Sequence, residues 1–291
     1  MTIEKGSKVG IVCCSNALKP EYSAKIKRLG NLLSEIGLTP LFSPYLYEKN
    51  GVFGGTGKER AQILMDFYRD NEIKAIYDIS GGDLANELLS YLDFNIITGT
   101  GKIFWGYSDL TTIINAIYTK TGKKSVLYQI RNLLYGDSKK QIANFTDTVM
   151  KDQPALFTFS YSFLQGEQME GVVVGGNIRC LLKLAGTGFF PDMEQKILLL
   201  ESFHGTVAQM VTYLSQLQQM DVFKKVNGIL LGTFTQMEAE NCSPSIGALV
   251  KQFAGEKIPI AQTREIGHGQ DSKAIMIGTY LTLTLKAAAP Y

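Results

Sequence analysis

Short apolar runs alternate with helical stripes through the first half of the chain. The runs at 8–14, 73–79 and 102–107 have the length and apolar content of buried strands. Between them, apolar side chains recur every three or four residues, as in 21–37, which ends at Gly37 in the manner of a capped helix. Regular alternation of strand and helix with short connections predicts parallel βαβ units and a doubly wound sheet.

The elements predicted in this half follow directly from the pattern. Strands are predicted at 8–14, 39–44, 73–79, 102–107 and 125–130, and helices at 21–37, 58–70, 84–93 and 110–118.

The pattern changes after about residue 150. Residues 151–171 alternate apolar and polar side chains without a helical period, which predicts extended chain. Further strands are predicted at 171–176, 196–202, 227–234 and 273–285, with helices at 178–186, 206–220 and 244–255. We therefore expect an N-terminal domain over 1–150, a linker over 151–164 and a smaller C-terminal α/β domain over 165–291. The final stretch, 286–291, is expected to be frayed.

Composition and charge exclude several classes of protein. Hydrophobic residues make up 45% and charged residues 19% of the 291-residue chain, and the net charge is +2 without a long run of one sign. Nucleic acid and anionic membranes are therefore not expected as partners. The first apolar run spans only about six residues, shorter than a secretory signal or a spanning helix, which predicts a soluble cytoplasmic protein.

Cysteine and histidine are too sparse for a metal or disulfide framework. The four cysteines include no C-x-x-C pair, and the chain has only two histidines, His204 and His268. A zinc site of cysteine and histidine needs several well-spaced ligands. No metal and no cofactor are predicted.

A serine stands where a predicted strand meets a predicted helix, in the sequence Gly106-Tyr107-Ser108-Asp109. Ligands of open parallel sheets bind beyond the carboxyl ends of the strands, which is where Ser108 is placed. The serine could cap the helix that follows. It could also be the nucleophile of a strained strand–turn–helix elbow, whose hydrolase form is G-x-S-x-G. Here the fifth position is Leu110, so the motif alone favours the cap.

A serine nucleophile needs a base that an acid orients. His268 lies between two glycines, which leave a side chain accessible, whereas His204 follows Glu201 by three residues. The glycines favour His268, although a lone histidine is more often structural. Glu201 ends an apolar run and would either cap the next helix or hold the imidazole in the required tautomer.

Paired glycines follow the predicted strand 73–79, in the sequence Ser-Gly-Gly-Asp at 80–83. Their backbone N–H groups could point into the same cleft and stabilise an oxyanion. A plain strand-to-helix turn or a phosphate loop are the alternatives. Neither phosphate-loop motif is present, which disfavours the last of these.

Taken together, these motifs resemble the LD-carboxypeptidases (muramoyltetrapeptide carboxypeptidases) and the related microcin C self-immunity peptidases. Residues 106–111, GYSDLT, are similar to the family's nucleophile motif G-[YF]-S-D-x-T, and 266–269, IGHG, to its histidine motif. The resemblance extends over nearly the whole chain. It implies a flavodoxin-like N-terminal domain, a smaller C-terminal α/β domain and a homodimer.

The resemblance also implies the catalytic residues. Ser108 would be the nucleophile, Glu201 the orienting acid and His268 the general base of a serine peptidase. The backbone N–H groups of Asp109 and Gly82 would form the oxyanion hole. Substrates in the family are cell-wall peptides that lose a terminal D-alanine from an L-centre.

Some positions depart from the family pattern and leave the substrate open. Residues 83–85 replace a glycine-tyrosine-glycine, 128–130 replace a histidine-glycine-proline, His204 stands where a second acid is common, and the usual proline before the last strand is absent. The sequence at 80–83 leans toward the immunity branch, which cleaves an amide of an aminoacyl sulfamoyl adenosine.

Three functions therefore remain. The first is an LD-carboxypeptidase acting on murein tetrapeptides, the second an immunity-type peptidase, and the third a non-catalytic α/β ligand-binding protein. Gly81, Asp83 and Arg179 are candidate substrate contacts. Arg179 is the first candidate for binding the terminal carboxylate and Arg131 the second, although either could be a solvated surface arginine.

Overall fold

Two six-stranded sheets organise the computed structural model, which describes residues 2–285. The predicted fraying of 286–291 lies outside the described residues. The α/β class and the two-sheet arrangement predicted from the sequence are confirmed.

The first sheet has the strand order β11-β5-β4-β3-β1-β2. Its strands are β1 (Lys8–Val12), β2 (Thr39–Phe42), β3 (Ile73–Asp78), β4 (Ile103–Gly106), β5 (Ser125–Leu127) and β11 (Ile275–Ile277). The first five are parallel and follow the 2-1-3-4-5 order of flavodoxin-like folds, whereas β11 pairs antiparallel with β5. The helices of this half are α1 (Ser23–Ile36), α2 (Gly57–Arg69), α3 (Phe94–Thr98), α4 (Thr111–Thr121) and α5 (Ser138–Lys151).

Local side-chain hydrogen bonds account for two differences from the predicted elements. The helix predicted at 84–93 is a 3₁₀ helix, Ala85–Tyr91, and α3 starts afresh because the Asp93 carboxylate accepts the N–H groups of Asn95 and Ile96. Strand β1 ends at Val12 rather than residue 14, since the Cys14 N–H donates to the Asp78 carboxylate, 2.7 Å away. No helix is predicted at α5, and the apolar pattern used above does not identify it.

The second sheet has the strand order β12-β7-β8-β9-β10-β6. Its strands are β6 (Ser162–Gln165), β7 (Gln168–Asn177), β8 (Lys196–Ser202), β9 (Gly228–Phe234), β10 (Ile260–Gln262) and β12 (Tyr280–Thr284). The four central strands are parallel, and β6 and β12 are antiparallel edges. The helices here are α6 (Ile178–Leu182), α7 (Val207–Gln219), α8 (Val222–Lys225), α9 (Thr235–Ala239) and α10 (Ile246–Ala254).

The single strand predicted at 273–285 is two strands in different sheets. Strand β11 pairs with β5 in the first sheet, and after a turn β12 pairs with β7 in the second. The domain boundaries at 150 and 165 stay a prediction, but this strand of the predicted second domain belongs to the first sheet. In the same way, the extended chain predicted at 151–171 contains regular strand only in β6 and at the start of β7.

Buried hydrogen bonds join α4, which follows β4, to the end of β7. The side chain of Asn115 donates to the Gly175 carbonyl (2.9 Å) and accepts from the Gly175 N–H (2.8 Å). Thr111 Oγ1 accepts the Asn177 N–H at 3.0 Å. These contacts bring the carboxyl ends of the two sets of parallel strands to one cleft. Among residues 2–285, no helix is both long and apolar enough to cross a bilayer.

Candidate active site

Ser108 occupies a strained turn between β4 and α4. Tyr107 is extended, and Ser108 then adopts a left-handed backbone with φ of 55° before the 3₁₀ turn Ser108–Leu110 leads into α4. A left-handed conformation costs a non-glycine residue about 1–2 kcal/mol. Glycine is required at position 106 because a Cβ there would overlap the side chains of Leu110 and Phe104. The turn makes no side-chain cap, so the capping interpretation of Ser108 does not describe the structure.

The hydroxyl of Ser108 instead lies in a chain of hydrogen bonds with His268 and Glu201. His268 Nε2 is 3.2 Å from Ser108 Oγ, and its Nδ1 is 2.5 Å from Glu201 Oε2. Glu201 lies near the end of β8 with a fully buried side chain, and the His268 side chain is 8% exposed. This arrangement can remove the serine proton and stabilise the imidazolium that forms.

Two aromatic rings contact the imidazole of His268. The Tyr107 ring centroid lies 4.4 Å from that of His268, and Phe203 stacks at 5.0 Å with an interplanar angle of 20°. Burial raises the pKa of Tyr107 well above its usual range, and the Glu201 carboxylate raises it further, so the phenol remains neutral. His204 is exposed and contacts the edge of Phe203. The structure therefore brings His268, and not His204, to the serine.

The loop at 80–83 approaches the same strand ends. Gly82 has a φ of 126°, and a side chain there would overlap Asn16. Asn16 holds the loop on both sides, since its N–H donates to the Gly81 carbonyl (3.2 Å) and its Oδ1 accepts the Asp83 N–H (2.8 Å). Within residues 2–285, the Gly82 N–H has no hydrogen-bond acceptor. It is therefore free to donate to a ligand.

The side chain of Asp109 holds neighbouring segments together, separately from the oxyanion role predicted for its backbone N–H. Its buried carboxylate accepts from Ser15 Oγ (2.6 Å), from the Ala85 N–H (2.8 Å) and from Lys183 Nζ (2.5 Å). Lys183 belongs to the chain just after α6, so this ion pair ties the serine turn to the second sheet's layer.

Arg179 is engaged by the glycine loop. Its guanidinium pairs with the Asp83 carboxylate and donates to the Gly82 carbonyl at 3.1 Å. The hydrogen bond from Arg179 lowers the pKa of Asp83, with a smaller contribution from the Lys183 charge. Arg179 and Asp83, both predicted to contact the substrate, therefore bind each other in this structure.

Several residues at the site are not among those predicted from the sequence. Tyr107 adjoins the predicted nucleophile, and Asn16 follows β1 at the same carboxyl edge, so the rule that indicated 80–83 also applies to it. Phe203 and Lys183 have no comparable local signal, because their roles depend on how the two sheets meet. In the part of the chain that the structure describes, no group of three histidine, cysteine, aspartate or glutamate residues could hold a metal ion.

Two family models match separate parts of the chain. Residues 9–128 match the family model of the LD-carboxypeptidase N-terminal domain, and residues 170–283 match that of the LD-carboxypeptidase C-terminal domain. These matches agree with the resemblance drawn from the motifs at 106–111 and 266–269.

Individual relatives cover almost the full chain. A probable murein peptide carboxypeptidase of Bacillus subtilis (strain 168) is 28% identical over 95% of this chain and 88% of its own. Among solved structures, an MccF-like protein from Bacillus anthracis str. Ames superposes with a TM-score of 0.85 at 26% identity, covering 98% of this chain and 96% of that chain. A muramoyltetrapeptide carboxypeptidase from Oxalobacter formigenes shares the fold, with a TM-score of 0.81 at 24% identity over 97% and 96% of the two chains.

Proposed function

Because this chain belongs to the LD-carboxypeptidase family, we propose that it is a serine peptidase that releases terminal D-alanine from murein tetrapeptides in the cytoplasm. Ser108 is the nucleophile, His268 the general base and Glu201 the acid that orients it. The observation that carries the proposal is the continuous contact from Glu201 through His268 to Ser108. A ligand-binding protein without catalysis would have no need for this buried relay beside a strained serine.

The geometry supports a two-step acyl transfer. His268 Nε2 accepts the Ser108 proton as Oγ attacks the carbonyl carbon that precedes the terminal D-alanine. The same nitrogen then gives the proton to the departing amine, and D-alanine leaves while the peptide remains as an ester on Ser108. Water then attacks the ester while His268 Nε2 takes its proton, and the imidazolium passes this proton to Ser108 Oγ as the ester bond breaks and the shortened peptide leaves. Glu201 stays ionised and keeps the imidazole oriented throughout.

Backbone donors complete the proposed site. The negative charge that develops on the carbonyl oxygen would be stabilised by the N–H groups of Gly82 and Asp109. Two features support the role of Gly82: its conformation suits glycine, and its N–H is unpaired within residues 2–285. The interactions of Asn16 and Arg179 with this loop keep it in place before substrate arrives.

Hydrolysis of a defined panel of peptides tests the proposal. We expect rapid release of D-alanine from the tetrapeptide L-Ala-γ-D-Glu-L-Lys-D-Ala, or its diaminopimelate form, detected by mass spectrometry. The C-terminal L-alanine epimer should be poorly cleaved. No release from any muropeptide, together with cleavage of glutamyl or aspartyl sulfamoyl adenosine, would replace the proposal with an immunity-type peptidase. The homodimer implied by the family is tested separately by light scattering.

A further inference from the structure

The basic side chains around the cleft differ in whether an acidic residue neutralises them. Arg179 pairs with Asp83, and Lys183 pairs with Asp83 and Asp109. Arg60, nearly fully buried, is ion-paired as well and also donates to backbone carbonyl groups of the β1 loop. Each of these three cations is therefore already paired with a carboxylate of the protein.

Arg131 lies in a 3₁₀ helix, Ile130–Leu134, that starts just beyond β5. Strand β5 neighbours β4, and the Tyr128 N–H donates to the Gly106 carbonyl at 2.8 Å, two residues before the nucleophile. The helix is therefore anchored next to the serine turn.

Hydrogen bonds on either side of Arg131 connect this helix to both catalytic loops. Gln129 Nε2 donates to the Ser80 carbonyl at 3.4 Å, at the start of the glycine loop. Asn132 Nδ2 donates to the Gly269 carbonyl at 3.3 Å, directly after His268. The residues that flank Arg131 thus contact both the loop that carries Gly82 and the loop that carries His268.

The charge of Arg131 has no counterpart within residues 2–285. Its guanidinium makes no ion pair there, and its Nε is buried without a hydrogen-bond partner. A guanidinium stays protonated in proteins, and a partly buried cation is costly unless an anion pairs with it. Arg131 is close enough to the site to oppose the increase in the pKa of Tyr107 that burial and Glu201 cause.

We propose that Arg131 is the specificity residue that binds the terminal carboxylate of the peptide substrate. An exopeptidase must recognise that carboxylate, and a guanidinium does so with two parallel hydrogen bonds. The assignment rests on the proposed function and reverses the order of candidates from the sequence, in which Arg179 came first. Arg179 instead acts as a positioning residue that holds the glycine loop through Asp83 and the Gly82 carbonyl.

Paired substrates isolate the contact. The murein tetrapeptide is compared with its C-terminal amide, which keeps the scissile bond and lacks only the negative charge. The variant Arg131→Gln should lower kcat/KM for the free acid on the order of 10- to 100-fold, mainly through KM, and leave the amide within about threefold. Arg131→Lys, which keeps the charge and loses the planar fork, should retain part of the preference for the acid. Arg28→Gln, an exposed arginine on α1, is the matched control and should leave both rates unchanged.

A binding measurement covers the case in which the amide is cleaved too slowly to follow. In the Ser108→Ala background, calorimetry should show tighter binding of the acid than of the amide, and adding Arg131→Gln should abolish that difference. The inference is overturned if Arg131→Gln keeps the full preference for the acid, or loses acid and amide equally. Either result leaves the proposed function intact, provided that the unmodified enzyme releases D-alanine. An unmodified enzyme that cleaves no muropeptide contradicts the proposed function itself.

Discussion

The backbone strain at Ser108 allows its chemical and conformational roles to be separated by two substitutions. Ser108→Ala and Ser108→Gly both remove Oγ, and both lose its hydrogen bond to His268. If Ser108 is the nucleophile, each should reduce turnover by roughly a million-fold. A helix cap would behave differently, since its loss costs about 1 kcal/mol of stability and leaves activity intact.

The two variants should differ in their free energy of unfolding. Alanine keeps the strain of a φ of 55°, which is about 1–2 kcal/mol for an L-residue, whereas glycine adopts this conformation freely. Glycine also makes the unfolded chain more flexible than alanine does, and this lowers the stability of the glycine variant by about 0.4–1 kcal/mol. Ser108→Gly should therefore be more stable than Ser108→Ala by about 0.8 kcal/mol, the difference between the centres of the two ranges.

Urea unfolding provides the assay for this difference. With an m value of about 3 kcal/mol/M, the glycine variant should unfold at a midpoint higher by about 0.3 M. An alanine variant that is more stable than the glycine variant would contradict the strain assigned to this turn. An alanine variant that hydrolyses muropeptides at the normal rate would refute the assignment of the nucleophile.

Three further predictions address the base and the contacts between the two sheets. His268→Ala should nearly abolish hydrolysis, whereas His204→Ala should stay within a few-fold of the unmodified enzyme; the reverse result would assign the base to His204. Asn115→Ala leaves the N–H and the carbonyl of Gly175 buried without partners, so the free energy of unfolding in urea should fall by about 2–5 kcal/mol. An unchanged unfolding midpoint would contradict the role of this contact. Lys183→Met leaves the buried Asp109 carboxylate without its ion pair and should lower the free energy of unfolding by about 1–3 kcal/mol in the same assay. A stabilised variant would show that the cost of desolvating the pair exceeds the attraction between its charges.

Periodicity predicts the parallel part of the fold well because strands buried on both faces are continuous apolar runs. It is wrong where a local hydrogen bond decides the conformation, as at Asp93, which restarts a helix and leaves a 3₁₀ segment before it. It also cannot separate β11 from β12, since both lie in one apolar run and only tertiary pairing assigns them to different sheets.

At the candidate site, too, the sequence pattern does not predict contacts between distant parts of the chain. Motifs and strand ends indicate Ser108, Glu201 and His268, and the structure places all three in contact, although their catalytic roles remain a proposal. Arg179 comes before Arg131 in the order predicted from the sequence, although both arginines follow strand ends and no local pattern distinguishes them. Their difference depends on Asp83, which neutralises Arg179 from a distant part of the chain.

The return of β11 to the first sheet has a consequence for synthesis of the protein on the ribosome. His268 lies on the segment that runs from β10 in one sheet to β11 in the other. A nascent chain that has released every other strand of the first sheet still exposes the edge of β5, which Ile275–Ile277 covers in the folded protein. The first sheet therefore gains its last strand only after strands β6–β10 of the second sheet have been synthesised. We expect nascent chains arrested before residue 277 to present an open sheet edge to chaperones and to lack hydrolase activity.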